Sequence, residues 1–197
     1  MPQQDIYTFE LDPNLLTASF RVNTSWVVIT GAASSGKTTL INLLTKRGFR
    51  TAQETARQYI DQELAAGRSI KEILEDPCTE PCIEEMQVRT EHELNPEEVV
   101  FLDRALPDSI TFRRLVGLDP HEILTKCFQY HYAYVFILDL LPFQQDDARI
   151  EADTYTVLLD AWLTRDYSAL GYEVVRVPVL SPEERIDFII EIVSTQG

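Results

Sequence analysis

The chain has 197 residues, 45% hydrophobic and 25% charged, which suits one domain with a sizeable core, or a domain with a small lid. A formal net charge of −15 sets it against nucleic acid and anionic membrane unless a local basic patch overrides the field. The longest apolar runs fall well short of the roughly 20 residues of a membrane span, and Met1-Pro2-Gln3-Gln4-Asp5 has neither the basic region nor the apolar core of a secretion signal, so a cytoplasmic protein is expected.

The short basic clusters, Lys46-Arg47 with Arg50 and Arg113-Arg114, read as isolated solvated charges. The three cysteines, Cys78, Cys82 and Cys127, are odd in number. Cys78-x-x-x-Cys82 has the spacing of half a metal site, but Cys127, His92, His121 and His131 supply no companion spacing, so all three read as ordinary thiols.

Taken in order, residues 1–24 form an N-terminal extension with little periodicity; Asp12-Pro13-Asn14 is a turn or helix entry, and Phe9, Leu11, Leu15, Leu16 and Phe20 are placed to pack on the body. The domain proper, 25–197, opens with a buried strand at 26–30, a tight loop, and a helix from Lys37 to Arg47 stopped by Gly48. A short strand at 49–52 leads to a helix at 54–66, a connection at 68–79 with one weak helical turn, and a helix at 81–94. Val99-Val100-Phe101-Leu102, ended by Asp103, is the pattern of a buried parallel strand. Short helices follow at 106–116 and 119–130, then a strand at 134–138. Residues 139–152 are polar and read as a mobile lid segment before a helix at 153–169. The last strand is 173–177, and Ser181-Pro182-Glu183-Glu184 caps the final helix. This alternation predicts an α/β fold: a five-stranded parallel sheet with helices on both faces, and ligands outside the carboxyl ends of the strands.

Gly31-Ala32-Ala33-Ser34-Ser35-Gly36-Lys37-Thr38 fits G-x-x-x-x-G-K-[ST] between a strand and a helix, where the motif cradles a polyphosphate. Glycine lets the loop curl so that backbone N–H groups, including those of Lys37, Thr38 and Thr39 at the helix start, face the phosphates. Lys37 supplies an ammonium to the outer phosphates, and the Thr38 hydroxyl suits a bridging Mg2+. Asp103, after four apolar residues, is the Walker B carboxylate for the same metal, or else a cap after a strand. Glu54 and Arg57, three apart, share a helix face. They can serve an acceptor hydroxyl and an anionic group, and equally form a surface ion pair. Arg149, in Asp146-Asp147-Ala148-Arg149, is a cation that a lid would bring to the transferred phosphoryl group, or one charge of a solvated loop; Arg165 is a weaker candidate.

The phosphate loop, Glu54-x-Ala56-Arg57, Asp103-Arg104-x-x-Pro107-Asp108, Asp147-x-Arg149-x-Glu151 and Gly171-Tyr172-Glu173-Val174-x-x-Val177-Pro178-Val179 together resemble the small "AAA domain" P-loop family, related to the nicotinamide riboside kinase domain of bacterial NAD regulators. The likeness spans about residues 26–193; many relatives have glycine where Ala105 stands, and a loop richer in glycine and proline. It implies a P-loop NTPase fold of nucleoside-kinase type rather than a ring-forming AAA+ machine. The activity expected is an ATP- and Mg2+-dependent kinase. Lys37, Glu54, Asp103 and Arg149 would be catalytic, Arg57 and Arg104 would join Glu54 on a small nucleoside-like acceptor, and neither nucleic acid nor membrane is a partner. The alternative is a nucleotide-binding ATPase switch or adaptor acting through a protein partner. A homodimer is left open by the pattern, and no Asn-Lys-x-Asp guanine-reading motif occurs.

Overall fold

The computed structural model describes residues 11–141 and 150–195, with the backbone alone for 150–154. Its strands are β1 (Val22–Asn23), β2 (Val27–Thr30), β3 (Arg50–Ala52), β4 (Val100–Asp103), β5 (Tyr130–His131), β6 (Tyr134–Leu138) and β7 (Val174–Val177). Five of them form one parallel sheet in the order β3-β4-β2-β6-β7, as the alternating pattern predicts. The helices are α1 (Lys37–Lys46), α2 (Thr55–Ala65), α3 (Ile70–Glu75), α4 (Thr79–Glu93), α5 (Asp108–Leu115), α6 (His121–Cys127), α7 (Ile150–Ala169) and α8 (Pro182–Thr195). Among the described residues, no helix is long and apolar enough to cross a membrane.

The central strands are apolar throughout because both faces of the sheet are covered. Val27 and Ile29 of β2 join Phe101, Phe136, Leu40, Leu44, Ile186 and Ile189, so α1 and α8 cover one face. Val28 points the other way, into a core with Leu102, Val135, Ile110, Leu163 and Tyr167, under α5 and α7. Trp26, fully buried at the entry to β2, donates from Nε1 to the Asn95 carbonyl at 3.0 Å. Strand register then positions the chemistry. Ile29 pairs with Asp103 and Leu102 with Ala52, so the ends of β2, β3 and β4 deliver the phosphate loop, Glu54 and Asp103 to one edge of the sheet.

Several boundaries differ from the sequence reading. The weak turn in the 68–79 connection is a full helix, α3, closed by a Ser69–Glu72 capping box that the apolar pattern did not signal. The N-terminal extension does more than pack. After a 3-10 turn at Leu15–Thr17, its β1 pairs in parallel with β5, which ends the preceding α6 at Cys127. Phe20 sits among Phe128, His131 and Tyr172, with ring centroids 5.1, 4.8 and 5.3 Å away. The lid segment expected at 139–152 lies largely outside the described residues, as do Phe9 and Arg149; α7 takes up the chain at Ile150.

The basic pair Arg113-Arg114 corrects the expectation of solvated charges: each residue is only 5% exposed. Helix α5 is sandwiched between α4 and α7, so its last turn faces carboxylates instead of water. Arg113 forks onto Glu84 at 2.5 and 3.0 Å, and Arg114 pairs with Asp166 beside Thr111. Burial of this kind makes the two halves of a pair interdependent, since either one alone is a charge without water or partner. Asp166→Ala is therefore expected to cost roughly 3–5 kcal/mol in urea unfolding, whereas Asp187→Ala, which breaks the exposed pair with Arg47, should cost under about 1 kcal/mol. Equal losses would contradict this reading of α5.

Candidate active site

Between β2 and α1 the chain makes a tight loop whose backbone needs its glycines. Gly31 has φ +143°, and a Cβ there would meet the Leu138 carbonyl oxygen and Ser35 Oγ at 3.1 Å each. Gly36, with φ +95°, turns the chain into the first turn of α1. The Lys37 side chain lies back along the loop: Nζ donates to the carbonyls of Gly31 at 2.8 Å and Ala32 at 2.7 Å, and to Ser35 Oγ at 3.4 Å. Burial, with the nearby Arg104 charge second, pulls its ammonium down to about 8. Ala33, Ser34, Gly36, Lys37, Thr38 and Thr39 line an open cleft of about 600 Å³, whose far wall is Glu54, Arg57 and Arg104.

The loop is braced from beneath by a residue that the sequence did not single out. Arg185, on the first turn of α8 and 2% exposed, donates Nη1 to the Ser35 carbonyl at 2.7 Å, Nε to Pro178 O at 2.8 Å and Nη2 to Asp139 O at 3.2 Å. It thus ties the loop to the ends of β6 and β7 and has no ion pair among the described residues. Its position one turn after a helix cap carries no signal of such a role.

Asp103 ends β4 and is 3% exposed. Its Oδ1 is buried and, among the described residues, accepts no hydrogen bond. Burial, followed by the Glu54 carboxylate, pushes its carboxyl up to about 6. No cluster of three or more His, Cys, Asp or Glu able to hold a metal occurs among the described residues. An unpartnered carboxylate oxygen and the exposed Thr38 hydroxyl are nonetheless the hard oxygen donors that suit Mg2+, an ion that fills most of its shell with water and phosphate oxygens.

Arg104 is the hub of the site. Its φ of +69° is unusual for a side-chain-bearing residue and points the guanidinium back across the strand ends. Nε donates to Glu54 Oε1 at 2.8 Å, and Nη1 to Asp108 Oδ1 at 3.0 Å and Thr30 Oγ1 at 3.4 Å. The guanidinium also lies 4.9 Å from the centroid of the Phe112 ring. Asp108 in turn accepts from the Ala105 N–H at 3.2 Å, the Tyr167 hydroxyl at 2.6 Å and the Thr30 hydroxyl. Glu54 therefore pairs with Arg104 and not with Arg57, the partner its helical spacing suggests; Arg57 is exposed on the phosphate cleft. Behind the Glu54–Arg104 pair lies a second cavity of about 170 Å³, with Thr55, Glu80, Gln87, Asp108 and Phe112 in its walls. The pair is the wall common to both spaces.

A crystal structure of the NadR protein in complex with NR aligns with TM-score 0.64 and 18% identity, covering 88% of this chain and 52% of that one. The same protein in complex with NAD and AMP-PNP aligns with TM-score 0.61 and 17% identity over 88% and 51%. This chain thus spans about half the length of NadR. Thymidylate kinase from Candida albicans gives TM-score 0.55 at 13% identity over 87% and 92%, and shikimate kinase from Aquifex aeolicus 0.53 at 17% over 86% and 96%. At these identities the likeness is one of fold. No curated protein matches the sequence. The family model described as "AAA domain" matches residues 26–185, from the entry of β2 into α8. That match covers both the loop and its brace, and the chain belongs to this family of P-loop proteins, with the fold of the nucleoside and nucleotide kinases.

Proposed function

We propose that this chain is an ATP- and Mg2+-dependent kinase that passes the γ-phosphate to a hydroxyl of a small, nucleoside-like acceptor. The observation that carries the reading is the shared wall. A phosphate cleft and a separate cavity, part apolar and part charged, meet at Glu54 and Arg104, so a γ-phosphate at the end of the cleft would face a molecule in the cavity. A protein that only binds and slowly hydrolyses nucleotide has no need of the second space. The named neighbours, which include kinases and a protein crystallised with an ATP analogue, support the same class.

In this reading the loop N–H groups and Lys37 hold the polyphosphate, with Lys37 exchanging loop carbonyls for phosphate oxygens. Thr38 and Asp103 would hold the metal, which when bound screens charge on the phosphates. Glu54 has Oε1 tied to Arg104, while Oε2 accepts no hydrogen bond among the described residues and is open to an acceptor hydroxyl. The acceptor oxygen forms the new bond to Pγ as the bond from Pγ to its bridging oxygen breaks, and the hydroxyl proton passes to Glu54. Arg104 fixes the angle of the Glu54 carboxylate. Arg57, on the cleft side, is assigned to the phosphates or the mouth of the site. Arg149 is assigned to the transferred group from its sequence pattern, outside the described residues.

Glu54→Gln should leave ATP affinity within a few-fold by calorimetry and lower acceptor phosphorylation by about a hundredfold or more, because a general base acts mainly in the transition state. Lys37→Ala should lose both. The assay is Mg2+-ATP with a panel of nucleosides and detection of a phosphorylated product. ATP hydrolysis indifferent to every acceptor, and altered instead by a protein partner, would replace the kinase with a switch.

The Asp103 carboxylate makes a second test possible in metal-free protein. An acid raised from its ordinary 3.8 to about 6 by burial gives stability that is present below 3.8 and lost as pH rises through about 6. Asp103→Asn is therefore expected to unfold at higher urea than the wild type at pH 8 in EDTA, with the gap closing between pH 6 and 4, while its Mg2+-dependent turnover falls. An Asn variant less stable at pH 8 would make Asp103 a structural residue.

A further inference from the structure

The second cavity has an unusual charge balance. Three carboxylates line it, those of Glu54, Glu80 and Asp108, against the single guanidinium of Arg104. Arg104 already faces two of the three, pairing with Glu54 and Asp108. Its Nη2 is unpaired among the described residues and can donate to a neutral oxygen, but its charge is matched. Of the further cations, Lys37, whose charge also acts on Glu54 and Asp108, is held on the loop carbonyls of Gly31 and Ala32, and Arg113 is committed elsewhere: Glu84 takes Nε and Nη2, and Glu122 and the Asp119 carbonyl take Nη1 at 2.6 and 2.8 Å. Gln87 is likewise occupied, accepting from the Thr55 hydroxyl and donating to Glu91 at 2.9 Å.

Of the three carboxylates, Glu80 is the one without a close partner among the described residues. Sitting in the first turn of α4, it faces the cavity and forms no hydrogen bond or ion pair among the described residues. Burial, with the Glu84 charge second, pushes its carboxyl up to about 7 against the weaker opposing pull of Arg113 and Arg104, neither of which pairs with it directly. A carboxylate in a first turn can simply complement the helix dipole. That role is met best in water, and this side chain lines a cavity instead.

We propose, on the reading of this chain as a kinase, that Glu80 makes the cavity selective for acceptors without a phosphate of their own: uncharged or cationic hydroxylated molecules that give Glu80 a hydrogen-bond donor and lay a planar part near Phe112. A phosphorylated acceptor would bring a dianion into a space whose one guanidinium is matched and whose free side chain is a carboxylate. Like charges in such a poorly solvated space repel strongly. The cavity thus favours the nucleoside over its own 5′-monophosphate.

The test is calorimetry on the full chain loaded with Mg2+-AMP-PNP, titrated with matched pairs of nucleoside and 5′-monophosphate: adenosine, cytidine, guanosine, uridine and thymidine. At least one nucleoside is expected to bind tenfold or more tighter than its monophosphate, a factor of about ten being typical of one misplaced charge. Glu80→Gln should shrink that preference, and Glu80→Lys should tilt it toward the monophosphate, both with AMP-PNP affinity and circular dichroism unchanged. A monophosphate preferred by the wild type, a preference that neither substitution moves, or AMP-PNP-loaded protein that binds no member of any pair would overturn the role of Glu80 while leaving nucleotide binding intact. Failure to bind AMP-PNP at all would instead overturn the kinase reading, and this inference with it.

Discussion

Arg104 is the point at which three strand ends are made to act together. Its backbone N–H donates to the Ile29 carbonyl on β2 at 3.1 Å, and its side chain reaches Glu54 after β3, Thr30 on β2 and Asp108 at the start of α5. A parallel sheet brings the carboxyl ends of its strands to one edge but does not fix the loops leaving them. Here one guanidinium, aimed by a left-handed backbone, supplies that fixing. The strain of a positive φ at a residue with a side chain is of order 1–3 kcal/mol and persists only where the surroundings enforce it. Four hydrogen-bonding partners and an aromatic ring supply the enforcement. If Arg104 were free, Glu54 would have no set orientation, and the wall between cleft and cavity would open.

A protein of net charge −15 that binds a polyanion must concentrate positive potential locally. The phosphate loop does so with three devices of different origin. The N–H groups at the start of α1 are backbone, Lys37 is a buried side chain held on the loop carbonyls, and Arg185 is a buried cation whose hydrogen-bond partners are neutral carbonyls. Arg185 has no ion pair among the described residues, the Asp139 carboxylate acting on it only at a distance, and its charge lies under Ser35 and Gly36. The opposite rule holds across the shared wall, where carboxylates outnumber cations. The site is thus divided electrostatically into a half that attracts phosphate and a half that does not.

Much of this was legible in the sequence, for identifiable reasons. Strands buried on both faces appear as unbroken apolar runs, so β2, β4 and β6 were read within a residue or so, and the phosphate loop followed from residue types that its backbone conformation demands. The capping box at Ser181 and Glu184 was equally plain and is formed, with Glu184 N–H donating to Ser181 Oγ at 3.3 Å. What escaped was whatever depends on distant elements. Helical spacing puts Arg57 on the same face as Glu54 and leaves an ion pair between them open, yet the partner of Glu54 is Arg104, 50 residues away on the neighbouring strand end. Arg113 and Arg114 looked solvated because nothing local reveals that α4 and α7 enclose α5. Arg185 and Glu80 were invisible for the same reason: a single charged residue on a helix has no pattern, and only the fold shows that one lies under the loop and the other faces a cavity.

On the kinase reading, the γ-phosphate of a nucleotide in the cleft points through the Glu54–Arg104 wall toward the second cavity. A crystal structure of the Mg2+-AMP-PNP complex tests it most directly, by the position of the γ-phosphate relative to Glu54 Oε2. The expected result has the γ-phosphate beside Lys37 and facing the cavity, with Oε2 one hydroxyl away from it. A γ-phosphate turned to bulk solvent, with the intact Glu54–Arg104 pair closing the cavity behind it, would contradict the account.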